Sequence, residues 1–235
     1  MTKKYLGHLL IICLFLLLTS FQQNKPIKSQ IKWLCDSKWK KISKEEQREF
    51  DEKGNLVQWL QFTSNASICD TFKYEYEGKK IVKEYRTTCY SDLAKGTVTQ
   101  NKYGTNDRLE EKQSFERKKL TKVSKFKFKS ASDKYPYIRE DYFDNEQNAT
   151  TIANLKYDSR GNLIEEEQNV SGSWFGTFTY KFGSKNQLIY ETGSVDGGVG
   201  LVERYYIYDK DILVKDSVRI PGSPTEFHVY ETKKL

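Results

Sequence analysis

The chain has 235 residues, 37% hydrophobic, 14% aromatic and 30% charged, with 39 basic against 32 acidic residues and a formal net charge of +7. Two His and four Cys leave little for a Ser–His–Asp or Cys–His constellation, or for a zinc-type ligand set. No shift in composition marks a domain boundary, and the length suits one β domain behind a short leader.

The leader is residues 1–21. Lys3 and Lys4 precede an apolar run from Leu9 to Leu18, followed by Thr19 and Ser20. A basic start, a short apolar stretch and small residues at its end form a secretory signal peptide. The run falls short of the roughly 20 apolar residues that a spanning helix needs. Cys13 lies inside the run behind Ile11 and Ile12, which argues against lipidation. Without Lys3 and Lys4 the chain keeps 37 basic and 32 acidic residues, a charge of +5. The chain is therefore expected to be exported, to the periplasm, cell surface or extracellular space, with no membrane span after cleavage.

Residues 22–44 read as an irregular lead-in that packs Trp33 or Trp39 on the end of a sheet. Ser43-Lys44-Glu45-Glu46 matches the start of a short capped helical turn. From 45 to 235 the chain reads as a single β-repeat domain. Its clearest unit is Leu155 to Ile164, a strand, a tight turn and a second strand. Asp158 opens the turn, where its carboxylate can accept backbone N–H groups ahead of it. Gly161 stands where a left-handed residue closes a type I turn with a bulge. Asp51 and Gly54 hold the same two slots in a near copy, Phe50 to Leu56.

An aromatic residue precedes each such turn: Phe50, Tyr76, Tyr103, Phe128, Tyr157, Phe182, Tyr208 and Tyr230, spaced by 22 to 29 residues. A fixed period of this size indicates a repeat architecture. Tyr157-Asp158 with Gly161, and Tyr208-Asp209, resemble the YD repeat of Rhs-type proteins, a Tyr-Asp pair with a short Gly turn and then an apolar residue. The similar spacing covers Glu45 to Leu235. In that family long chains build a spiralling β-sheet shell, often around a toxin domain. The resemblance implies local structure only, because this chain has room for neither shell nor toxin.

Between turns, aromatics alternate with polar residues, as in Phe72, Tyr74 and Tyr76 against Lys73 and Glu75, or Phe178, Tyr180 and Phe182 against Thr179 and Lys181. Alternation of period two means half-buried strands with one packed and one wet face. The fold class is all-β, an antiparallel meander of about 14–15 short strands in hairpin repeats of about 26 residues, in one large curved or spiralling sheet. Cys69 and Cys89 lie symmetrically about residue 79, inside one hairpin, so they should face each other and form a disulfide. Cys35 is then left over.

The chemistry is sparse. His228 is the sole His after the leader, and a lone His on a strand is more often structural than catalytic. No phosphate loop is present, since Gly193 to Gly200 lacks a following helix and Lys-Ser/Thr. Asp209-Lys210-Asp211 lacks calcium-loop spacing. No catalytic residue, metal ligand or cofactor is assigned. Arg117, Lys118, Lys119, Lys122, Lys125, Lys127 and Lys129 crowd two strands near Phe115, Phe126 and Phe128, a pattern that suits a solvated sheet face better than nucleic acid. Trp59 and Trp174 are the candidate ligand-stacking residues, for a protein or polysaccharide at the cell surface. The leading expectation is an exported, non-catalytic β-repeat binding or scaffold protein. One alternative is a lipocalin-like carrier of a small apolar ligand, for which Trp39-Lys40 resembles the opening of that family. The other is a glycoside hydrolase with a carboxylate pair.

Overall fold

A computed structural model describes residues 26–89, 96–144, 147–171, 174–195 and 202–234; the leader, residues 1–21, lies outside the described residues. Sixteen strands run in chain order: β1 (Ile27–Cys35), β2 (Lys41–Phe50), β3 (Leu56–Phe62), β4 (Ile68–Glu77), β5 (Lys80–Thr87), β6 (Thr97–Tyr103), β7 (Leu109–Glu116), β8 (Lys119–Lys127), β9 (Ile138–Phe143), β10 (Thr151–Tyr157), β11 (Leu163–Val170), β12 (Trp174–Phe182), β13 (Leu188–Val195), β14 (Val202–Asp209), β15 (Ile212–Arg219) and β16 (Glu226–Lys234). Each strand pairs antiparallel with its neighbours in sequence. β1 pairs with β16 from Ile27↔Lys234 to Cys35↔Phe227, which closes the sheet into a barrel. The only helical piece among the described residues is a 3-10 turn at Thr105–Asp107.

The all-β antiparallel meander is as expected, but the sheet closes instead of spiralling open, and it has sixteen strands rather than 14 or 15. The difference lies partly at the N-terminus. Residues 22–44 are no irregular lead-in, since they contain β1 and the start of β2, and Ser43–Glu46 is strand. β1 escaped recognition because its pattern is inverted. Gln30 and Lys32 are buried along with Cys35, while Ile31 and Trp33 face outward. Two partner strands stabilise a segment whose own alternation points the wrong way. Trp39 packs edge-on against Phe227, with ring centroids 5.0 Å apart.

The turn chemistry is local and repeated. Asp51 Oδ1 accepts from the N–H groups of Lys53 and Asn55, and Asp158 Oδ1 from those of Arg160 and Asn162. Gly54 and Gly161 take φ of +81° and +85°. Trp39, Ala66 and Asn186 hold the corresponding left-handed place in three further turns.

Because connections alternate between the two rims, every turn that follows a repeat aromatic falls on the same rim. There the aromatics link one repeat to the previous one. The hydroxyls of Tyr76, Tyr103 and Tyr208 donate to the carbonyls of Leu56, Ile81 and Leu188 at 2.8, 3.0 and 3.0 Å. Arg160 Nη1 reaches the carbonyl of Gly183 in the next turn at 3.0 Å. The period seen in the sequence is therefore the period of these inter-repeat contacts.

The two turn glycines differ in one respect. A Cβ on Gly54 would meet nothing within 4 Å, whereas one on Gly161 would collide with the ring and hydroxyl of Tyr135, which stacks on Tyr157. Gly54→Val should therefore destabilise by about 1–3 kcal/mol through positive-φ strain alone, and Gly161→Val by more. Urea denaturation of both single variants and the double variant measures this, and the two costs should add within about 0.5 kcal/mol.

Candidate functional site

Strand pairing sorts the side chains into an inner and an outer wall. The inner wall is not an apolar core. Among the described residues the buried side chains include Gln30, Lys32, Asp70, Ser124, Asp141, Glu166, Asp216 and His228, against only six apolar or aromatic ones. Sixteen strands also enclose more space than side chains fill, and barrels of about this size hold an aqueous lumen. Charge inside such a barrel stays near water or finds a partner.

Most of it finds a partner in one recurring form, an Arg, a carboxylate and an aromatic ring on neighbouring strands. Arg48 pairs with Glu46 at 2.8 Å and lies over Trp59, whose Nε1 donates to Glu46 at 3.1 Å. Arg86 pairs with Asp70 at 3.4 Å and lies over Phe72. Arg204 pairs with Glu191 at 3.3 Å, next to Tyr206 and Tyr180. Arg139 reaches across β10, above the small Ala153, to Glu166 at 2.9 Å, and pairs with Asp141 on its own strand at 3.5 Å.

The tightest cluster sits where the barrel closes. His228 Nδ1 is 2.5 Å from Asp216 Oδ1, and Tyr230 donates its hydroxyl to Asp216 Oδ2 at 2.5 Å. On the other side His228 Nε2 stands 3.2 Å from Glu45 Oε2, a close charge contact. Lys32 Nζ approaches the same oxygen at 3.0 Å and Glu46 at 3.7 Å; Glu226 lies 3.9 Å from His228. His228 and Asp216 are the largest fully buried side chains, and the cluster spans β15, β16, β1 and β2.

Burial alone would push the His228 imidazole down, but Asp216 and Glu45 outweigh it and hold its pKa above the usual range. Burial would raise Glu45, yet His228 and Lys32 lower it to about 2. Asp216 is likewise lowered by His228 and Tyr230 despite its burial, while burial and Asp216 push the Tyr230 phenol up. His228 is thus held between two carboxylates that favour its protonated form. The arrangement provides charge neutralisation and a strand lock. Among the described residues the imidazole nitrogens face Asp216, Glu45 and Glu226, and no Ser or Cys side chain is bonded to them.

The residues singled out by sequence take varied places. Cys69 and Cys89 are joined in a disulfide, and Cys35 is free and buried. Asp51, Gly54, Asp158 and Gly161 form turns on the repeat rim, away from the charge cluster. Trp59 is on the inner wall, with Phe72 stacked on it at 4.8 Å. Trp174 begins β12, and its side chain lies outside the described residues. The basic stretch divides between the walls. Lys122 turns inward to Asp141 at 3.0 Å, while Lys125 lies over Tyr142 and Lys127 pairs with Glu140 outside. Among the described residues no group of three or more His, Cys, Asp or Glu is placed to hold a metal ion. Sequence reading missed Lys32, Glu45, Asp216 and Tyr230 as a group. They lie on four strands, and only the closure of the barrel brings them together.

No protein-family model and no curated protein matches this sequence. Solved structures do. A porin-like protein from Bacteroides uniformis superposes with a TM-score of 0.56 at 12% identity, over 89% of this chain and 97% of that one. A porin-like protein from Bacteroides vulgatus gives 0.47 at 10% identity, over 90% and 100% of the two chains. The Photorhabdus luminescens Tc holotoxin pore gives 0.36 at 10%, over 81% of this chain and 12% of that one. The first of these likenesses establishes the barrel fold.

The closure cluster has a definite pH signature. Glu45, with its lowered pKa, contributes stability above the ordinary value of 4.5 that is lost as pH falls towards about 2. His228, with its raised pKa, contributes stability below the ordinary value of 6.5 that is lost as pH rises through the folded value. The stabilisation should therefore be greatest between pH 4.5 and 6.5. His228→Leu should cost about 3–5 kcal/mol, since it strands buried carboxylates. It should also flatten the alkaline arm of stability against pH, as measured by urea melts from pH 4 to 9.

Proposed function

We propose that this is an exported, non-catalytic β-barrel that stands in water and binds a hydrophilic solute in its lumen. The observation that carries this reading is that both walls are charged. Outside, Lys83 faces Glu75 at 3.6 Å and Lys102 faces Glu111 at 2.8 Å, while Lys127 pairs with Glu140 and Lys156 with Glu165. A lipid-facing band must stay apolar over about 25 Å of height, and these ladders interrupt it on most of the strands from β4 to β11. Inside, Arg–carboxylate pairs line the wall where a carrier of apolar ligands would need an enclosed apolar cavity. The basic, short apolar leader supports export. Burial of His228 and Asp216 in a partnered lock supports a structural rather than a catalytic role for the one His behind the leader. The porin-like barrel likeness agrees in fold and adds no ligand.

Two measurements test this. The exported chain should stay monodisperse without detergent and should not float with phosphatidylethanolamine–phosphatidylglycerol vesicles. In a thermal-shift panel of oligosaccharides, amino acids, sulfate and palmitate, a polar solute should raise Tm as RT ln(1 + [L]/Kd) requires. Co-flotation with vesicles, or a shift with palmitate alone, would overturn the reading.

A further inference from the structure

Within that lumen, on which this step depends, one wall segment is built for a specific chemistry. Strands β12 to β14 form a half-open cavity of about 380 Å³ whose lining includes Phe178, Tyr180, Glu191, Gly193 and Val202, with Thr192 and Ser194 at its side. The volume falls in the small-ligand range of about 300–1,000 Å³. Gly193 pairs with Phe178 across the ladder, and a Cβ there would come within 2.6 Å of Phe178 Cδ1. Only a glycine lets the Phe178 ring lie back against the wall, so the ring offers its other face to the cavity.

At the next inner-wall position from Phe178 stand Tyr180 and its ladder partner Glu191, and Glu191 in turn pairs with Arg204. Arg204 donates one Nη1–H to Glu191 at 3.3 Å, and its Nε is buried without a hydrogen-bond partner. The cavity thus combines an apolar π-face with a carboxylate, and the Arg204 guanidinium stands beside that carboxylate, outside the lining, so that the pair carries no net charge.

We infer that this cavity is a subsite for one ring of a neutral saccharide. A pyranose has an apolar C–H face that packs on an aromatic ring. At its edge, adjacent hydroxyls both donate and accept, which matches a carboxylate beside a guanidinium. An anion would meet Glu191, a cation would meet Arg204, and an apolar ligand would strip water from both without replacing it.

The test is titration of the exported chain with maltotriose, cellotriose and chitotriose, followed by calorimetry and saturation-transfer NMR, with adenosine, trigalacturonate and sulfate in parallel. At least one neutral trisaccharide should bind. Phe178→Ala and Glu191→Gln should each weaken it about tenfold, the loss of one stacking or one charged hydrogen-bond contact. Ile207→Ser on the outer wall should leave it unchanged. Circular dichroism checks that Phe178→Ala folds; if it does not, Glu191→Gln alone decides. Binding of no neutral trisaccharide, equal binding by the variants, or preference for adenosine would overturn the subsite. If only sulfate or trigalacturonate binds, the saccharide subsite fails while the polar-lumen reading stands.

Discussion

The pairing of β1 with β16 is the constraint on which the rest depends. Without it the chain is an open meander with two bare edges, and the inner wall is simply one face of a sheet. With it, Lys32 and Glu45 from one end of the sheet meet Asp216, His228 and Tyr230 from the other. Backbone hydrogen bonds alone would close any two compatible edges. The buried imidazole between two carboxylates sets the register, because sliding β16 by one residue would turn His228 outward and leave Asp216 facing nothing. Specificity of closure, more than net stability, is what a buried ion cluster supplies here.

What the sequence discloses and what it hides follow from how local each signal is. The turns are legible because an Asp, a Gly and their backbone partners lie within five residues, as in Asp158 to Asn162. The disulfide is legible because symmetry about one hairpin fixes it. The repeat is legible because each tyrosine hydroxyl reaches a carbonyl 20 or 22 residues back. Closure is not, since nothing near Ile27 announces Lys234. The inner wall is only half legible. Alternation finds the aromatic face at Phe178 and Tyr180, but Glu166, Arg204 and Asp216 share that face, and a rule that sends charges outward misplaces them. A barrel with a wet interior suspends that rule, and no single strand reveals the size of the barrel it belongs to.

The repeat and the barrel are related in an unusual way. Repeat arrays normally grow in one dimension and end in caps. Here the last repeat is followed by β1, so the first unit serves as the cap of the last. Strand β1 carries Gln30 and Lys32 inward and Ile31 and Trp33 outward, the reverse of Phe178 and Tyr180 on β12.

The same topology orders events in time. Every pairing except one joins strands that follow each other in the chain, and such contacts form quickly. The remaining one joins the extremes, Ile27 with Lys234 and Cys35 with Phe227. Closing a loop of this length costs entropy before any contact repays it. Hairpins therefore zip up one after another while both margins of the sheet stay bare, the condition in which β-sheets add strands from other molecules. The first strand to be made is the last to be satisfied: β1 waits, half-paired, until β16 has been synthesised and carried round to meet it.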